Sequence, residues 1–97
     1  MKKATQEQIE GWKKQYGMVF QVTVDDKIAY LRKPDRQIIA YGLTKVSTDP
    51  LGFNEVILKN CWIAGDEEIK TNDDYFMAVS AQLEQIMEVK TADIKKL

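Results

Sequence analysis

Histidine is missing from this 97-residue chain and cysteine occurs once, at Cys61. An intrachain disulfide, a Cys/His zinc site and a histidine-based catalytic triad are thereby excluded within one chain. Proline appears twice and glycine five times, with no low-complexity tract, so neither a fibrous repeat nor a disordered linker is expected. No apolar run approaches the roughly 18 residues of a membrane span, and Met1-Lys2-Lys3 is followed by none at all. The expected address is the cytoplasm, with no membrane partner. A single thiol agrees with a reducing compartment.

A net excess of either charge is missing too. Fourteen Lys plus Arg face fifteen Asp plus Glu, for a formal charge of -1. That balance argues against a general nucleic-acid binder, whose affinity comes largely from neutralising phosphates. What is present is 44% hydrophobic and 30% charged sequence, the make-up of an ordered globular protein. The length suits one small domain over residues 1–97, with residues 1–16 as a separable N-terminal helix and 90–97 as a basic tail that frays. Its thin core would gain from a partner subunit.

The hydrophobic rhythm sets the order of elements. Over residues 5–16, Ile9, Trp12 and Tyr16 share a helical face, Thr5 and Gln8 have the spacing of a capping box, and Gly17 is a stop. Trp12 and Tyr16 read either as anchors of that helix or as an aromatic contact for a partner. Residues 18–31 alternate as a β-hairpin around Asp25-Asp26-Lys27, with Phe20, Val22 and Val24 on one face of the first strand and Ile28 and Tyr30 on one face of the second. Such a hairpin needs a third strand or a helix against it.

Lys33-Pro34-Asp35-Arg36 starts a helix, with Pro34 in its first turn, that runs to about residue 47. Gly42 within it either weakens the helix or admits a close neighbour. Asp49-Pro50 starts a central helix carrying Phe53, Val56, Ile57, Leu58, Cys61 and Trp62, with Cys61 read as an inert apolar residue. Either Thr71 with Asp74, or Asn72 itself, caps a final helix in which Phe76, Val79, Leu83, Ile86 or Met87, Ile94 and Leu97 keep nearly one face for more than 20 residues. The expected fold is α+β, mainly α: a short N-terminal helix, a β-hairpin, then three helices with a long C-terminal one. That last helix would be about 30 Å long or more, too long for a domain of this mass to cover alone.

The near-zero charge hides a dipolar chain. Residues 1–16 and 90–97 each sum to +2, whereas residues 65–74 carry five acids against Lys70. The acids Asp66, Glu67, Glu68, Asp73 and Asp74 lack the alternating ligands, central glycine and terminal glutamate of an EF-hand loop. Tyr41-Gly42-Leu43-Thr44-Lys45 does not form a phosphate-cradling loop. No metal, cofactor or catalytic residue is therefore assigned. Arg32, Lys33 and Arg36 make a small basic cluster where the hairpin meets the helix; a solvated patch, an acidic protein partner and a nucleic acid are its competing uses.

Three features in sequence carry a family likeness: a hairpin ending in Tyr30-Leu31-Arg32-Lys33-Pro34-Asp35-Arg36, residues 57–62 followed by Gly65-Asp66, and Asn72-Asp73-Asp74 opening a terminal helix. Over residues 18–90 the chain resembles small tail assembly chaperones and related proteins of tailed phages and prophages. The resemblance implies a mainly helical protein with a short β element that associates with itself and with the tape-measure protein, keeping the latter soluble while tail tube subunits polymerise around it. It also implies that apolar surface around Trp62, Phe76 and Leu83 serves self-association or client binding. Trp12 and the separate N-terminal helix lie outside the likeness.

The combined expectation is a non-enzymatic protein-binding assembly factor, with Arg32, Arg36, Asp66, Glu67 and Glu68 as charged contacts that orient a partner. A small structural subunit of a phage or other assembly, and a regulatory nucleic-acid-binding module, are the alternatives.

Overall fold

A computed structural model describes residues 3–87 and 92–97. The chain is α+β and mainly α, in the order α1 (Gln6–Tyr16), β1 (Val19–Val24), β2 (Lys27–Arg32), α2 (Arg36–Leu43), α3 (Pro50–Cys61), β3 (Trp62–Gly65), α4 (Glu68–Thr71) and α5 (Asp73–Ser80). A 3-10 helix, Leu83–Met87, follows.

The helices α1, α2, α3 and α5 each start where a side chain satisfies the first free amides; the one-turn α4 has no such cap. Thr5 and Gln8 close the expected capping box on α1, and Gly17 ends it at φ +84°. Asp35 is itself the cap of α2, accepting from the Ile38 amide at 2.9 Å, so Pro34 precedes the helix instead of opening it. Asp49 caps α3 through the Gly52 amide at 3.1 Å, with Pro50 in the first turn. Of the two caps open at α5, Asn72 is the one used: its Oδ1 accepts from the amides of Asp74 and Tyr75.

The strands form one antiparallel sheet ordered β1-β2-β3. A two-residue turn joins β1 to β2, and Asp25 in it has φ +52°, a left-handed conformation that Asp tolerates better than most residues. Phe20 pairs with Leu31 and Val22 with Ala29, so these four side chains share a face. Ile28 and Tyr30 share the other face, opposite Gln21 and Thr23. The first face meets the core, built from Ala29, Leu31, Ile57, Leu58, Ile69 and Val79 among others. The second is covered at Tyr30 by α1: the rings of Trp12 and Tyr30 lie 5.1 Å apart, and the Ala4 amide donates to Tyr30 Oη at 2.8 Å. Trp12 is thus an anchor, and Tyr30 is 1% exposed.

Three expectations change. Helix α2 ends at Leu43 and a string of turns replaces its last turn. Gly42 is there for close approach, since a Cβ on it would sit 2.9 Å from the Phe53 ring of α3. Trp62 leaves the central helix and opens β3, the strand that completes the hairpin. Ile63 is skipped in the pairing of β3 with β2, and this bulge turns Trp62 toward the side of Leu31 and the core.

The long C-terminal helix is divided. Helix α5 stops at Ser80, and the chain tightens into the 3-10 helix. In that geometry residues three apart eclipse, which directs Leu83 and Ile86 into the core together, at 1% and 3% exposure. Residues 88–91 of the expected helix lie outside the described residues. Residues 92–97 have no regular secondary structure, and Ile94 and Leu97 among them are fully exposed.

Candidate protein-binding groove

Between the start of α3 and the outer side of α4 and α5 runs a groove of about 490 Å³. Its apolar lining is Leu51, Phe76 and Met77, and its polar rim is Asp49, Glu55, Asp73 and Lys70. Periodicity explains the arrangement. Leu51 and Glu55 are one helical turn apart on the side of α3 away from the core, and Asp73 and Met77 are one turn apart on α5. Leu51 is 46% and Met77 51% exposed, large values for side chains of this size, whereas Phe76 packs partly against the core. Three carboxylates against one ammonium make the rim acidic. Lys70 is itself engaged, at 2.7 Å from Glu67 and with its Nζ 4.4 Å from the centre of the Trp62 ring.

The residues expected to bind a partner are distributed unevenly. Phe76 lies in the groove. Trp62 lies beside it, half-buried under the Lys70 ammonium. Leu83, at 1% exposure, is a core residue in this structure and offers no surface.

The charged residues are mostly occupied within the chain. Asp66 Oδ2 accepts from the Ile28 amide at 2.9 Å, tying α4 to β2. Glu68 meets Lys27 at 3.3 Å. That hydrogen bond, with Asp26 nearby, holds the Lys27 ammonium above its ordinary range. Glu67 pairs with Lys70. Arg32 lies 3.9 Å from Asp35 and 5.9 Å from the centre of the Tyr16 ring, and Arg36 is exposed on the first turn of α2. The acidic segment at residues 66–68 therefore acts first as a fold clamp. Leu51, Glu55 and Met77 were not singled out in sequence, and Asp49 and Asp73 stood out there only as a helix start and as part of the acidic run; the one signal for the groove was a Leu followed by Glu four residues later, off the core stripe.

Cys61 is fully buried, and burial pushes its thiol up to about 11 from the ordinary 9.0, with nearby Arg32 opposing the shift and Asp35 adding to it. At pH 8 the thiolate fraction is then about 100-fold below that of a free cysteine. A disulfide reagent is expected to label the native chain at least about 100-fold more slowly than the denatured one. Equal rates would show that the site opens readily. Because the folded state holds this proton more tightly, the stabilisation is complete below about pH 9 and declines as pH rises toward 11.

Among the described residues no group of three or more His, Cys, Asp and Glu side chains is placed to hold a metal ion. None of the described helices is long and apolar enough to cross a membrane. No protein-family model, no curated protein and no solved structure matches this chain.

Proposed function

We propose that this protein is a non-enzymatic assembly factor that shields an apolar, basic helical segment of a client, and that the client is the tape-measure protein of a tailed phage. The observation that supports binding is the groove itself: two half-exposed apolar side chains, Leu51 and Met77, beside Phe76, under a rim of Asp49, Glu55 and Asp73. An amphipathic helix laid in such a groove buries its apolar side chains, while its lysines or arginines meet the rim. The phage assignment is supported by the likeness of the hairpin, the Gly65-Asp66 loop and the Asn72-Asp73-Asp74 start. Charge at the rim orients the encounter more than it strengthens the complex.

Two measurements test this. The neighbouring genes are expected to encode a tail tube protein and a very long tape-measure protein; their absence would remove the phage assignment. Fragments of that tape-measure protein are then expected to be solubilised by the chain. Leu51→Ser with Met77→Ser should weaken the complex by about 10- to 30-fold, since each half-exposed side chain gains about 1 kcal/mol on full burial. Unchanged affinity of the double variant would overturn the groove as the client site.

A further inference from the structure

We infer that β1 is the subunit interface of a homodimer, pairing antiparallel with β1 of a second copy across a two-fold axis near Val22 to make a continuous six-stranded sheet. This surface is separate from the client groove, and the inference does not rest on the proposed function.

The backbone of β1 turns half of its hydrogen-bonding groups away from β2. In a hairpin with a two-residue turn, the pair next to the turn, Val24 and Lys27, exchanges both of its hydrogen bonds, and alternate pairs do not. The amides and carbonyls of Val19, Gln21 and Thr23 therefore point away from β2. Ile28, the partner of Thr23, confirms the phase from the other strand. Its N–H donates to Asp66 Oδ2 and its carbonyl accepts from the Asp66 amide, both at 2.9 Å and both on the side away from β1. Among the described residues no backbone hydrogen bond reaches the outer edge of β1. A groove of about 480 Å³ opens along that edge, between the strand and Ala78, Gln82, Gln85 and Ile86.

This edge is also unguarded. Free edges normally carry a lysine, a proline or a bulge that blocks further pairing. Val19-Phe20-Gln21-Val22-Thr23-Val24 has no charge and no proline, and its register with β2 runs without a bulge for six pairs. The opposite edge, β3, is guarded: it has four residues, a bulge and a terminal glycine.

Charge selects a second copy as the occupant and sets its orientation. At the turn end of β1 stand Asp25 and Asp26, the latter with its side chain 84% exposed and 3.9 Å from Lys27, a cation that Glu68 engages more closely at 3.3 Å, so the turn stays acidic. At the other end stand Lys13 and Lys14 in the last turn of α1, and the exposed Lys33 just beyond β2. Antiparallel pairing brings the acidic turn of each copy toward the basic end of the other. Parallel pairing would set acid against acid. With the axis near Val22, Gln21 faces Thr23 of the second copy on the polar side and Val22 faces Val22 on the apolar side, so both faces match. The contact is self-complementary and closes, which uses up the edge instead of propagating it.

Sedimentation of the purified chain from about 5 to about 500 µM is expected to show a dimer. Hydrogen exchange is expected to show the Gln21 and Thr23 amides slowed at least about 100-fold relative to an unpaired strand. Thr23→Pro removes one outward donor without touching the β1–β2 bonds, and Gln21→Lys with Thr23→Lys keeps the backbone but sets like charges across the axis. At least one of the two is expected to retain the native circular dichroism spectrum and to sediment as a monomer. A wild-type chain that stays monomeric throughout overturns the inference. So does a dimer whose Gln21 and Thr23 amides exchange freely, or a folded Lys variant that dimerises as strongly as the wild type.

Discussion

Gly65→Ala is expected to lower stability by about 3 kcal/mol or more, which in a chain of this size is a fall in melting temperature of about 12 to 24 °C. Gly65 has φ +157°, and a Cβ there would lie 2.6 Å from Ala29 Cα, 2.7 Å from the Ile28 carbonyl oxygen and 2.8 Å from Ala29 Cβ. Two of these three are backbone atoms of the central strand, which cannot swing aside as a long side chain could. The clash can be relieved only by parting β3 from β2. That would also pull Asp66 from the Ile28 amide and loosen α4 above it. Thermal denaturation followed by circular dichroism reads the effect. A shift of less than about 3 °C would mean that the strands separate at little cost and that the sheet is not held at this crossing.

Leu83→Ala is expected to destabilise by about 2 to 5 kcal/mol, the range for removing a buried leucine and leaving a cavity. Its side chain is 1% exposed and shares the core with Val79 and Ile86. Measured well below the melting temperature of the variant, client affinity should be unchanged, because the groove of Leu51, Phe76 and Met77 does not include this residue. The pair Leu51→Ser with Met77→Ser should behave in the reverse way, with a small effect on melting and a large one on binding. If Leu83→Ala melts like the wild type but loses the client, Leu83 is a surface residue and its place in the core is wrong.

These contrasts mark where sequence was a good guide. Local chemistry was legible: Thr5 with Gln8 and Asp49 with Pro50 are caps whose partners lie within three residues, so no tertiary contact is needed to decide them, and at α5 the choice was narrowed to Thr71 or Asn72. The hairpin was legible for the same reason. Strand β3 was not, because four residues continuing an apolar helix look like more helix. Only the open edge of β2, more than 25 residues earlier, gives their backbone groups a better partner. The division after Ser80 was hidden by the very periodicity that suggested one long helix. Residues 79, 83 and 86 fall on one side in either winding, so the pattern does not register a change to 3-10 geometry.

The candidate groove illustrates a different limit. Leu51 and Met77 are 26 positions apart, and neither belongs to a core stripe. Each alone is an ordinary exposed apolar residue, of a kind most proteins carry. Their meaning comes from the juxtaposition of α3 with α5, which the core residues Val56, Ile57 and Val79 create while facing the other way. Phe76 was legible only because it belongs both to the stripe and to the groove. Conversely, the run of acids at residues 66–68 was conspicuous in sequence and proves to be engaged with β2 and α4.

The chain has two tryptophans, and the sheet divides them. Trp12 lies against Tyr30 on the face covered by α1, while the bulge at Ile63 sends Trp62 to the core side, under Lys70. The molecule thus carries one intrinsic fluorophore for each layer. A Trp62→Phe chain reports optically on the seating of the N-terminal helix, and a Trp12→Phe chain on the core and the neighbourhood of the groove, so undocking of one layer can be followed separately from melting of the other.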